Sequence, residues 1–276
     1  MSSDNDLKQA KSDLRIQIRR ALKEMPDELR VAESAAIAQH VIASSTFKNA
    51  NRIALYLSTP KLREVETHSL VDHALAQPHT RLFLPKVDDK YATPPHPTPP
   101  THPHVPRIAL PCRAIHPPFG SRHHRQQKST RPSALRRESH MRMLHVTSLS
   151  DVVSSPPYGI LEPNETYRAP PPDSEATPRE EAASGPLDLV LMPGLGFDRT
   201  GRRLGRGGGY YDAYVSKLLS IAAERGLPRP LLVALAFSPQ VVPQVPVGTW
   251  DHDVDVLVTS EGATVCSHEG ITRWKA

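Results

Sequence analysis

The stretch Asp188–Leu219, DLVLMPGLGFDRTGRRLGRGGGYYDAYVSKLL, decides the fold. Asp188 to Met192 is a short apolar run ending at Pro193 and Gly194, the pattern of a buried strand that feeds a loop. A helical pattern begins near Tyr210, with Tyr214, Val215 and Leu218 at helical spacing. Between them, Arg202, Arg203 and Arg206 stand among Gly201, Gly205, Gly207, Gly208 and Gly209. Strand, glycine loop and helix in that order predict an α/β unit, and open α/β sheets bind ligands beyond the carboxyl ends of their strands. The residue types predict an anion there. Glycines let backbone N–H groups approach phosphate, arginine forks contact its oxygens, and a helix amino terminus adds partial positive charge. Asp212, in the first helical turn, can cap the helix or hold a cation that bridges phosphate oxygens.

Two familiar glycine motifs fail. Gly205–Tyr210 carries tyrosine where the dinucleotide fingerprint needs its third glycine, and no Gly-Lys-Ser/Thr is present, so neither a Rossmann site nor a P-loop is supported. A plain flexible loop with a solvated basic face is the bland alternative. Five glycines, three arginines and an aspartate at a strand–helix junction are more than a linker requires.

PGLGFDRTGRRLGRGGGYYDAYV, residues 193–215, closely resembles the signature of the 5-formyltetrahydrofolate cyclo-ligase family, also called methenyltetrahydrofolate synthetases. The resemblance implies an ATP- and Mg2+-dependent closure of 5-formyltetrahydrofolate to 5,10-methenyltetrahydrofolate, releasing ADP and phosphate. It sets ATP against Lys11 and Arg15 of the first helix and against Arg203, Leu204, Gly205, Arg206, Gly207, Gly208, Gly209, Tyr210 and Tyr211. It sets the folate against Leu57, Glu64, Arg206 and Tyr210, gives the catalytic roles to Arg206 and Arg203, and puts magnesium on Asp212 and Asp251. The loop Ser58–Thr67 leaves Glu66 as an alternative to Glu64, and either glutamate can equally cap the helix expected over Ser69–Ala76. One departure is Gly208, where some family members carry lysine.

The remaining chain fits one α/β domain over 1–276, a three-layer open, mostly parallel sheet flanked by helices. Leu7–Leu22, with Leu14, Ile16, Ile18 and Leu22, reads as a basic amphipathic helix whose ordinary role is a solvated surface. Lys11 and Arg15, four apart, share one of its faces. A second helix starts at Pro26 and Asp27 and carries Val31, Ala35, Ile37, Val41 and Ile42. Arg52–Leu57, Thr80–Val87, the methionine-rich strand after His140 and Pro230–Phe237 read as strands, a GI-EP turn lies near Gly159–Pro163, and Thr166–Gly185 reads as a surface linker. In Trp250–Thr259, Asp251, Asp253 and Asp255 alternate, so all three point one way if the stretch is extended. Asp251 is the expected ligand, and Asp255 is expected to be structural.

Residues 88–138 break the pattern. They hold 11 of the 29 prolines and a local charge of +6, from nine Lys/Arg against three Asp/Glu, which leaves the rest of the chain at −1 of the total +5. This composition predicts a disordered, low-complexity insertion, either lineage-specific or a translated intron. Its scattered histidines lack the spacing of a zinc site. A basic nucleic-acid-binding protein using this segment is one alternative function, disfavoured because only Tyr91 and Phe119 are there to stack on bases. A sugar-phosphate isomerase or CoA-transferase-like protein is the other. Cys112 and Cys266 alone, a polar start and no long apolar run predict a reduced, cytoplasmic setting with no membrane contact, with a mitochondrial one the alternative although no clear transit peptide is seen. Small-molecule substrates, no nucleic acid and a monomeric state complete the expectation.

Overall fold

The computed structural model describes residues 3–88, 141–155, 159–167 and 176–276. Its helices are α1 (Ser3–Glu24), α2 (Asp27–Ala43), α3 (Ser45–Lys48), α4 (His68–Ala76), α5 (Tyr210–Arg225) and α6 (His268–Arg273). Its strands are β1 (Arg52–Ala54), β2 (Arg81–Val87), β3 (Met141–Val146), β4 (Val152–Ser155), β5 (Ile160–Pro163), β6 (Leu189–Met192), β7 (Gly196–Phe197), β8 (Arg203–Leu204), β9 (Leu231–Leu235), β10 (Val256–Thr259) and β11 (Gly262–Val265). Seven of them form one sheet in the order β11-β10-β9-β6-β1-β2-β3. The inner five run parallel, and β11 and β3 close the edges antiparallel.

Alternate strand residues supply two cores, as a sheet covered on both faces requires. Ile53, Leu82, Leu191 and Val233 pack with Ile18, Ile37 and Leu70 of α1, α2 and α4. Ala54, Phe83, Val190 and Leu232 pack with Tyr214, Val215 and Leu218 of α5. Three layers result. Every residue of β6 and β9 is buried, so truncating Leu191 to alanine would cost roughly 2–5 kcal/mol.

β1 leads through α4 to β2 on one side, whereas β6 leads through α5 to β9 on the other. The strand order therefore reverses between β1 and β6, and right-handed crossovers put α4 and α5 on opposite faces. The loops that leave β1 and β6 open a crevice at this switch point.

Local chemistry sets the helix ends. Pro26, at φ −58°, follows α1 and precedes α2, whose first turn carries Asp27 and Glu28. Gly226, at φ 63°, ends α5. The inward face of α1 carries Leu14, Ile18 and Leu22, while Ile16 is 62% exposed, and on α2 Val31 is 54% exposed. A strict 3.6-residue period accounts for both outliers.

Three sequence expectations are corrected. The ladder of the first strand stops at Ala54, although Leu55–Ser58 stays buried. Ile160–Pro163 is not a turn but the strand β5, paired with β4. Thr166–Gly185 is not a plain surface linker, because Arg179, Ala182 and Ala183 are buried. Arg179 pairs with Asp151 at 2.9 Å and lies 4.8 Å over the Tyr167 ring, and Glu180 O accepts from His145 N at 2.9 Å. This segment covers the open edge of β3, where unpaired backbone groups would otherwise meet solvent. The expected insertion, apart from Asp88, lies outside the described residues, as do Cys112 and its histidines.

Candidate active site

Lys11, Arg15 and Arg19 follow one another at four-residue spacing along one face of α1. The Lys11 ammonium forms an ion pair with the Asp251 carboxylate. Arg15 Nε donates to Gly205 O at 2.9 Å, and Arg19 Nη2 to Arg206 O at 3.5 Å. The first helix thus lies along the glycine loop. Burial and the neighbouring Arg19 lower the Arg15 pKa, with Asp251 opposing them. Like charges gathered against carbonyl oxygens form a surface that suits an anion.

The loop itself needs its glycines. Gly207 sits at φ 111° and Gly209 at φ 73°, in regions that other residues rarely adopt. Gly209 is the cap position just before α5, and no side chain caps that helix, so its amino terminus can address an oxyanion. Asp212 does not cap it either. Its Oδ1 takes Nη2 of the buried Arg203 at 2.6 Å and the His252 amide at 3.2 Å. Arg203 Nη1 also donates to Pro193 O at 3.2 Å. Leu204 pairs with Gly196 and buries its side chain in the core beside α1, so among the residues expected at the nucleotide it contributes packing.

Beside the loop lies a cavity of about 200 Å³ whose lining includes Leu57, Glu64, Met141, Arg206, Tyr210 and Tyr211. Arg206 Nε donates to Glu64 Oε1 at 3.2 Å and Arg206 Nη2 to Leu62 O at 2.6 Å, while Thr59 N reaches Glu64 Oε2 at 3.3 Å. Burial pushes the Glu64 carboxyl above its ordinary value, and Arg206 only partly offsets this. Glu66 is exposed outside the cavity. Thr67 stands at the start of α4 without a side-chain capping bond, so neither glutamate has the capping role.

The three late aspartates do not share a direction, which corrects the expectation for Trp250–Thr259. The ladder starts only at Val256, and Asp251 turns to Lys11 while Asp253 is exposed. Asp255 is buried between Arg229 at 2.5 Å and the Leu232 amide at 2.9 Å, a structural position. What remains is Asp212 and Asp251, linked through the His252 main chain. Among the described residues no group of three or more His, Cys, Asp or Glu side chains is placed to hold a metal. A cation here would take two protein carboxylates and complete its shell with ligand and water oxygens.

The structure therefore brings together Lys11, Arg15, Asp212, Asp251 and the loop on one side, and Leu57, Glu64, Arg206 and Tyr210 around the cavity. Sequence reasoning missed Arg19, the buried Glu162 in the cavity wall, and Ser216, whose Oγ lies 2.7 Å from His252 Nε2. Arg19 extends the Lys11–Arg15 spacing by one more turn, a signal that was there to be read. Ser216 had only its four-residue distance from Asp212.

Comparison with known proteins gives the family. The model of the 5-formyltetrahydrofolate cyclo-ligase family matches residues 7–102 and 123–260. The Arabidopsis thaliana protein named 5-formyltetrahydrofolate cyclo-ligase, mitochondrial, is 32% identical over 90% of this chain and 73% of its own length. The Mus musculus 5-formyltetrahydrofolate cyclo-ligase is 29% identical over 90% and 93%. The NMR structure of Aquifex aeolicus 5,10-methenyltetrahydrofolate synthetase superposes with a TM-score of 0.59 over 93% of this chain and 92% of that one. At 23% identity this last likeness speaks for the fold alone. With the family model matched over most of the chain and a relative 32% identical over 90% of it, the chain belongs to the 5-formyltetrahydrofolate cyclo-ligase family of enzymes.

Proposed function

We propose that the protein closes 5-formyltetrahydrofolate to 5,10-methenyltetrahydrofolate with ATP and Mg2+, releasing ADP and phosphate. The observation that carries this is the meeting of the α1 cations, the glycine loop and the Asp212–Asp251 pair beside one cavity. Lys11, Arg15, Arg203 and the loop from Leu204 to Tyr211 are assigned to ATP. Leu57, Glu64, Arg206 and Tyr210 are assigned to the folate, with Arg206 and Arg203 at the reacting phosphoryl group.

A formyl amide is a poor electrophile, so its oxygen must become a leaving group. Attack of that oxygen on the γ-phosphorus breaks the bond to ADP. The neighbouring anilinic nitrogen then adds to the activated carbon, loses its proton to solvent and expels phosphate. The residues have to position the partners and neutralise charge, which is what phosphoryl transfer asks of a protein. Arg206, already fixed by Glu64 and Leu62 O, offers a preoriented fork at the boundary between the cavity and the loop. Asp212 and Asp251 fit a magnesium ion by the chemistry of their donors, since Mg2+ takes few carboxylates and keeps phosphate and water oxygens. When bound, the ion neutralises charge on the transferring phosphate.

The test is purified protein with 5-formyltetrahydrofolate, followed by the absorbance of methenyltetrahydrofolate. Product that forms only with Mg-ATP supports the reading; a folded protein that forms none overturns it. A cytoplasmic location is proposed with it, and a fluorescent fusion checks that. Among the described residues no helix is long and apolar enough to cross a membrane.

A further inference from the structure

We propose that Ser216 and His252 form a positioning brace that sets the relative placement of the Asp212 and Asp251 carboxylates for a divalent cation. This rests on the reading above that these two carboxylates serve the nucleotide's cation. His252 touches α5 twice. Its main-chain N–H donates to Asp212 Oδ1 at 3.2 Å, and its ring Nε2 lies 2.7 Å from Ser216 Oγ. Asp212 and Ser216 are four apart, so both contacts fall on one helix face. One contact would let the turn pivot about Asp212. Two fix its orientation, and Asp251 is the residue immediately before His252 in the chain.

The chain is pinned farther on by Val254 N to Gly201 O at 2.8 Å and Asp255 N to Leu232 O at 2.7 Å, but both of these anchors lie beyond His252. Residues 250–255 make no strand ladder, and the first ladder residue is Val256. Asp251 is otherwise held by Lys11 and by the Gly248 amide. On the proposed reading Lys11 turns to phosphate when nucleotide binds, which removes the strongest of these ties. The Ser216–His252 contact does not involve the phosphate site, and it persists when the Lys11 tie is lost. Mg2+ accepts only near-octahedral placement at 2.0–2.1 Å. A brace one residue beyond a ligand is therefore a place where small shifts change cation affinity.

The test uses the full chain with Mn2+ as a paramagnetic probe, titrated by electron paramagnetic resonance with a non-hydrolysable ATP analogue present. Ser216→Ala is expected to weaken Mn2+ binding about tenfold, in the range that outer contacts to metal ligands command. Ser216→Thr, which keeps the hydroxyl, restores it. Analogue binding without cation and the melting temperature of the ligand-free protein stay at wild-type values. Unchanged Mn2+ affinity in Ser216→Ala overturns the brace, as does a loss matched by equal losses of cation-free nucleotide affinity or stability. If Asp212→Asn and Asp251→Asn also leave Mn2+ binding unchanged, the cation reading itself falls and takes the brace with it.

Discussion

The Lys11 ammonium and the Asp251 carboxylate pair across 240 positions of sequence, joining α1 to the turn before β10. Both side chains are mostly buried, at 16% and 20% exposure, so each would be costly to leave alone. On the proposed reading the nucleotide separates them, with phosphate taking Lys11 and the cation taking Asp251. Lys11→Met is expected to raise the ATP dissociation constant roughly 10- to 100-fold, the worth of a charged hydrogen bond. Calorimetric titration checks this. The double variant Lys11→Met/Asp251→Asn removes both partners and is expected to stay within about 1 kcal/mol of wild-type stability.

Arg206 bridges the two halves of the site, donating to Glu64 and to Leu62 O. Arg206→Ala is expected to lower kcat/KM by about 2–4 kcal/mol of transition-state stabilisation. Arg206→Lys recovers little of it, because a compact ammonium lacks the planar fork that reaches Glu64 and Leu62 O through two separate nitrogens. Unchanged turnover in Arg206→Ala would remove the residue from the reaction.

These residues also show how far the sequence could be read. The strand–loop–helix of Asp188–Leu219 was legible because apolar run, glycines and helical spacing are all local signals. The convergence of Lys11 with Asp251 was not local, and only the family resemblance placed them together. Composition misled at Thr166–Gly185, where a polar, proline-rich segment buries Arg179 against Asp151 to seal the β3 edge. The alternation of the late aspartates failed because the turn is not extended until Val256. Periodicity carries meaning only where a ladder enforces it.

Glu64 gives a pH-dependent test. Its folded pKa lies above the ordinary glutamate value, chiefly from burial. A carboxyl with a raised pKa stabilises the fold when protonated, and this contribution is lost as pH rises through the folded value. The ligand-free Glu64→Gln variant is therefore expected to melt higher than wild type at neutral pH, with the gap closing below the ordinary glutamate pKa of about 4.3. Turnover falls at the same time, since stability and function compete at such sites. Thermal scans at several pH values decide it, and a lower melting temperature at neutral pH would refute the burial argument.

Asp151 behaves oppositely. Burial would raise its pKa, but Arg179 and the Thr147 amide and hydroxyl hold it down to about 2. Stability from a lowered carboxyl is present above the unfolded pKa, about 3.9, and is lost as pH falls through the folded one. The depression corresponds to roughly 2 kcal/mol. Asp151→Asn is expected to lose that amount at pH 7 and to show a flatter denaturation curve between about pH 4 and 2. An unaltered acid limb in urea titrations would mean that the Arg179 clasp contributes nothing to the fold.

The last prediction concerns the connection between Val87 of β2 and Met141 of β3, two residues that pair with each other in the ladder. An antiparallel pair can be closed by a turn of two to five residues, so nothing in the ladder requires the long connection. The family model itself passes over residues 103–122. Replacing 89–140 by a short glycine-containing turn is expected to keep the register from Val87–Met141 to Leu82–Val146 and to retain methenyltetrahydrofolate formation. Closing a much shorter loop should also add about 2 kcal/mol of stability on chain-entropy grounds. Full activity in the shortened protein makes the segment an insertion in a single catalytic domain, and sequencing the transcript then separates a lineage-specific loop from a translated intron. A folded but inactive product would give the segment a part in the reaction, and salt-sensitive nucleic-acid binding lost on its removal would give it a separate one.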